Sequence, residues 1–240
     1  MSPRTGPAAT DQEAGGQEPT EPEPDAQEAT EDEATGDGET AWGDADGRRR
    51  DILSSAEQAL ERSGYGGLTV RAIAAGAGVS AGTVYQYFEG KEDVFVALME
   101  RRLDELRATL DGMDRSVGIP ELLRTILPQL SELWRKLGRA TPQWEAKVLV
   151  GGRRSKSVML SASVYRRTIH ALDNALRETA AARGQALVDN PALAHWVWDS
   201  LIGVADDLLH TGSRQNHVQP QQLVNFAAEA IERGILKNGT

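Results

Sequence analysis

Five hydroxyl-bearing side chains, Thr69, Ser80, Thr83, Tyr85 and Tyr87, share 23 residues with Arg71, Gln86 and Lys91. Hydroxyls, amides and cations at this density suit a phosphate-bearing partner, and a threonine methyl or a ring carbon can touch a thymine methyl. Ala81 and Gly82 carry almost no side chain, so the backbone there can approach another surface closely. Lys91 falls where a helix is expected to open, and free amides and the helix dipole already favour an anion at such a place. Arg71 is expected to project outward and to add a contact that weakens with salt.

The elements that must position these groups are two short helices. Val70, Ile73, Ala74 and Ala77 fall on one face of the first, with Thr69 at its N-cap position. Gly76 and Gly78 mark the break. The second is predicted over Ala81 to Phe88, capped by Ser80, with Val84 and Phe88 four apart on its inward side. Tyr85 and Tyr87 cannot share that stripe, because residues one or two apart on a helix face different ways. Two short helices joined by a glycine-containing turn form a helix-turn-helix. Its outward face suits a DNA major groove. The plainer alternative is a helical hairpin whose tyrosines pack on a neighbouring helix.

The run Gly78-Val79-Ser80-Ala81-Gly82-Thr83-Val84-Tyr85-Gln86-Tyr87-Phe88, with Thr69 before it and Lys91-Glu92 after it, resembles the DNA-binding segment of the TetR family of bacterial regulators. The resemblance covers roughly residues 48 to 95, about a fifth of the chain. It implies an all-α homodimer that binds a near-palindromic operator and is released by a small effector. It also implies that Thr69 donates to a phosphate as well as capping its helix. On this reading Thr83, the turn at Ala81 and Gly82, and Tyr85 read bases, while Gln86, Tyr87, Thr69 and Lys91 fix register through phosphates.

A net charge of −10 argues against a DNA partner until it is partitioned. Residues 1 to 47 hold 14 acidic residues and one basic residue, which leaves +3 on the remaining 193. Those 47 residues have few large apolar side chains, Trp42 excepted, and are expected to be a disordered tail. Such a tail either only solvates or competes with DNA for basic surface, since Arg48, Arg49 and Arg50 follow directly. The absence of cysteine excludes disulfides and thiolate metal sites. Without an apolar run of membrane-spanning length or a signal-type segment, a soluble cytoplasmic protein is expected.

A first helix is expected from about Arg48 to Ser63, striped by Ile52, Leu53, Ala56, Ala59 and Leu60 and ended by Ser63-Gly64. The reader domain therefore spans 48–95. A long helix from Lys91 to about Asp111 then belongs to the reader at one end and to a helical domain over 96–240 at the other. Further helices are predicted over Pro120 to Leu137, Pro142 to Gly151, Ser155 to Arg183, Pro191 to Thr211 and Pro220 to Lys237, with prolines at or near four starts. Pro128 predicts a kink or break near residues 124 to 127. No strand alternation or internal repeat is present.

Catalytic chemistry finds little support in the sequence. It has no glycine-rich phosphate loop and no nucleophile elbow, and His170, His195, His210 and His217 are not at metal-ligand spacing. No cofactor or metal is expected. An effector pocket in the C-terminal part would draw on Trp134, Trp144, Met159, Tyr165, His170 and Trp198, apolar walls with a few polar handles. Trp134 and Trp144 lead, because the resemblance puts them on the helices around the effector. Glu145, Arg153 and Arg154 are polar candidates nearby. The last two helices, with Trp198, Leu201, Ile202, Ala205, Leu208 and Leu209 on one and Leu223, Phe226, Ala227, Ala230 and Ile231 on the other, are expected to form a two-fold dimer interface. The competing functions are an architectural DNA-binding protein without an effector, and an enzyme or carrier retaining only the scaffold.

Overall fold

A computed structural model describes residues 38–150, 156–210 and 218–237. Two units separate, Met1–Glu39 and Thr40–Thr240; the first lies almost wholly outside the described residues, and the second holds both cores. The described residues are helical, with one isolated bridge between Leu187 and Leu236. The helices are α1 (Gly38–Gly67), α2 (Val70–Gly76), α3 (Ala81–Tyr87), α4 (Lys91–Gly112), α5 (Ile119–Leu133), α6 (Thr141–Val150), α7 (Lys156–Ala182), α8 (Leu193–His210) and α9 (Pro220–Ile235).

The smaller core gathers the inward stripes of α1, α2 and α3 with the first turns of α4. Ile52, Ile73, Val84, Val94 and Phe95 are fully enclosed. The larger core is built on α5, whose Leu122, Leu123, Ile126, Leu127 and Leu130 recur at helical spacing and face α8 and α9, while α4 packs along α7. α4 serves both: Val94, Phe95 and Leu98 belong to the smaller core, and Leu103, Leu106 and Leu110 to the larger.

Three expectations need correction. α1 begins at Gly38 instead of near Arg48, so the expected tail is helical over its last ten residues; residues 1–37 lie outside the described ones. Proline, which would break such a helix, is absent from 38–47. Near its other end α1 does break at Gly64, which has φ 63°. Second, α5 runs through Pro128 without interruption, and a π-turn at Trp134–Gly138 carries the irregularity. Pro128 lies on the exposed side, where water can satisfy the carbonyl it frees, while the opposite stripe holds the helix to α8 and α9. Third, Pro191 stands two residues before α8 rather than at its start.

Candidate nucleic-acid interface and effector cavity

The helix-turn-helix is shaped by local chemistry. The Thr69 hydroxyl accepts from the amide of Ala72 (3.1 Å) and caps α2; the Ser80 hydroxyl accepts from the amide of Thr83 (3.0 Å) and caps α3. Between them Gly78 takes φ 66°, a conformation costly for any residue with a Cβ. The turn is also held from α1, since buried Ser55 donates to the carbonyl of Ile73 at 2.8 Å. Gly76 lets this happen: a Cβ there would lie 2.3 Å from the Ser55 hydroxyl. The sequence reading missed Ser55, because nothing in a run of small residues points to a partner 18 positions on.

With Val84 fully buried and Phe88 6% exposed, α3 is fixed in rotation. Tyr85 is then 58% exposed, and Gln86, Gly82, Ser80, Thr69 and Arg71 are exposed with it. Ala81, Thr83 and Tyr87 are half-buried, Tyr87 packing against the core. The Thr83 hydroxyl lies 2.9 Å from that of Ser80. Lys91 is also half-buried; its amine donates to the carbonyl of Tyr65 (3.2 Å) and stands 4.5 Å from the centre of that ring. Arg49 lies over Phe88 at 5.4 Å, which gives one of the three consecutive arginines a packing role.

Two further connections tie the reader to the rest of the chain. Glu57 of α1 accepts from Arg101 (2.5 Å) and Arg102 of α4 and from Lys136 of the π-turn (3.0 Å). Burial alone pushes its carboxyl up, but the hydrogen bonds and charges of Arg102 and Lys136 outweigh this and hold it below the ordinary value. The second connection is aromatic. Trp144 of α6 packs on Phe95 with centroids 6.0 Å apart, and Phe95 meets Tyr65 edge-on at 5.4 Å. Burial, with the nearby charge of Glu92 added, pushes the Tyr65 phenol up.

Trp144 also borders an open cavity of about 380 Å³ lined by residues of α4, the end of α5, the π-turn, α6, α7 and α8. Trp134, Tyr165 and Trp198 share its wall, so the cavity collects four of the six expected effector residues. The other two lie elsewhere: Met159 is 64% exposed on α7, and His170 borders a separate depression beside Tyr165. Trp134 donates to Asp206 (3.0 Å), whereas the buried N–H of Trp144 has no acceptor among the described residues. Glu145 and Asp199 are the ionisable carboxylates on the wall; Arg153, Arg154 and His217 lie outside the described residues. Among the described residues no three His, Asp or Glu side chains gather as metal ligands, and no helix is long and apolar enough to cross a membrane.

Residues 52–98 match the family model for bacterial regulatory proteins of the tetR family. Over 80 residues the chain is 32% identical to the HTH-type transcriptional repressor AcnR of Corynebacterium diphtheriae, covering 33% of this chain and 40% of that one. The match thus spans well under half the length of such curated relatives. Solved structures resemble the whole helical fold at lower identity. A regulator from Saccharomonospora viridis in complex with choline is 21% identical, with a TM-score of 0.53 over 80% of this chain and 100% of that one. The regulator FadR of Bacillus subtilis in complex with stearoyl-CoA is 16% identical, with a TM-score of 0.53 over 78% and 98%.

Proposed function

We propose that the chain, whose residues 52–98 match the model for bacterial regulatory proteins of the tetR family, is a repressor that binds a palindromic operator as a homodimer and is released by a small-molecule effector. The observation that carries the DNA reading is the two-sided chemistry of α3. Val84 is wholly enclosed while Tyr85, about 100° around the helix from it, is 58% exposed behind a nearly bare first turn. Thr83, Ala81, Gly82 and Tyr85 read base edges; Thr69, Ser80, Arg71, Gln86, Tyr87 and Lys91 meet phosphates. Lys91 does so from the rim, its amine shared with Tyr65. Residues 48–95 form the reader, and 96–240 form the domain for effector and dimer.

Release follows from the shared contacts. Trp144 belongs at once to the cavity wall and to the reader's core, and beyond it Phe95, Tyr65 and Lys91 make a continuous packed path to the DNA-facing rim. An effector that prefers a displaced α6 shifts the population toward a conformer whose two reading heads no longer match the operator. A hundredfold loss of operator affinity needs about 3 kcal/mol of such preference. Dimerisation is assigned to α8 and α9. Phe226 is 70% exposed and Ala230 exposed one turn on, whereas Ala227 and Ile231 are buried within the chain. A protein of this kind works in the cytoplasm and performs no catalysis.

Footprinting the purified full chain on the DNA upstream of its own gene tests the reading. The expected result is one short protected site with two-fold sequence symmetry. Extended, weakly specific protection would favour an architectural protein, and no binding at any salt concentration would end the proposal.

A further inference from the structure

We infer that the cavity beside Trp144 takes a lipophilic cation, a quaternary or protonated amine carrying apolar substituents. The inference rests on the reading of this cavity as the effector site and adds the chemical class. Trp134, Trp144, Tyr165 and Trp198 are among the residues lining its roughly 380 Å³, with Tyr165 edge-on to Trp198 at 6.4 Å. Indole and phenol faces attract a cation through their quadrupoles, most strongly where water is displaced, and rings grouped in this way recognise quaternary ammonium ions.

Charge points the same way. Besides the Tyr165 phenol, the ionisable groups that the described residues bring to the wall are the exposed Glu145 and Asp199, and neither is ion-paired with a described residue. The Tyr165 phenol is pushed up by burial and then by the charge of Asp199, so that carboxylate's field reaches the aromatic wall. A third carboxylate, Asp206, lies behind Trp134 and accepts its N–H. These carboxylates repel a carboxylate or phosphate ligand and draw a cation. Apolar side chains, including Met99, Leu103 and Ile202, complete the wall and suit the ligand's substituents. The Trp144 N–H, buried and without an acceptor among the described residues, favours a ligand that also carries a hydroxyl, ether or ester oxygen.

The test is calorimetric titration of the full chain with decyltrimethylammonium, decanol and decanoate, which share a chain and differ in head charge. Operator binding is measured in parallel with each. The cation is expected to bind about tenfold or more tighter than decanol, with decanoate weakest. The double variant Glu145→Gln, Asp199→Asn changes two exposed residues, so its fold is expected to persist and is verified by circular dichroism. It should lose most of the preference for the cation while decanol stays within about twofold. Equal or tighter binding of decanoate, or a cation preference unchanged in the double variant, overturns the inference and leaves the effector reading standing. Cation-selective binding that leaves operator affinity untouched supports the inference and removes the effector reading. Binding of none of the three overturns the inference and leaves the effector reading standing.

Discussion

Replacing Glu57 by Gln probes the ionic cluster that joins the reader to the helices around the cavity. The Glu57 side chain is 12% exposed, and those of Arg101, Arg102 and Lys136 are 27%, 25% and 18% exposed. Glutamine keeps the size and one carbonyl but removes the charge, leaving three cations facing one another. An exposed ion pair contributes about 0.2–1 kcal/mol. Stripping one partner from a fully buried pair costs about 3–5 kcal/mol. The cations here retain some water, and two keep other carboxylates: Arg102 reaches Glu105 at 2.9 Å and Lys136 reaches Glu61 at 3.5 Å. The expected loss is therefore intermediate, about 2 kcal/mol, or roughly 4–8 °C in Tm for a chain of this size. The effect should also depend on pH. The folded carboxyl lies below its ordinary value of 4.5, so its stabilisation is full above that value and fades as the pH falls through the folded value. Thermal unfolding of both proteins, followed by circular dichroism at pH 7 and again in acid, measures this. A variant within about 0.5 kcal/mol of the parent at pH 7, or a gap that widens in acid, would refute the reasoning.

Other contacts can be perturbed in the same spirit. Gly76→Ala forces a Cβ to 2.3 Å from the Ser55 hydroxyl and should destabilise the reader by about 1–3 kcal/mol in urea unfolding; Ser55→Ala, which removes the crowded atom, should recover part of that loss in the double variant. Thr83→Ala and Tyr85→Phe should each shift base preference at one operator position by about 1–3 kcal/mol, measured by competition binding. Lys91→Ala should weaken all sequences alike and lower the salt slope by about one unit, and the opposite pattern would reverse the roles assigned to these residues. Phe226→Glu should weaken the dimer by about 30-fold, roughly 2 kcal/mol, in sedimentation equilibrium, and an unchanged association constant would move the interface elsewhere.

Features governed by neighbours in the chain were legible from the sequence alone. Ser80 and Thr69 cap because a hydroxyl three residues from an amide needs no tertiary partner, and both do so in the structure. The separation of Val84 from Tyr85 followed from 3.6 residues per turn, and one is enclosed while the other is exposed. Periodicity says that a stripe is buried but not what it is buried against. Trp144 could be read as a wall residue, yet its place against Phe95 in the reader's core exists only once α6 lies across α4. Glu57 and Lys136 are 79 residues apart, and no local pattern marks one carboxylate among many as the point where three cations meet. Pro128 shows the same division: its missing N–H argued locally for a break, and the leucine stripe pressed on α8 and α9 prevailed. Backbone preferences act over one or two turns and are written in order along the chain. The meeting of remote side chains is decided by which packing of all the stripes excludes the most water, and only the folded molecule states the answer.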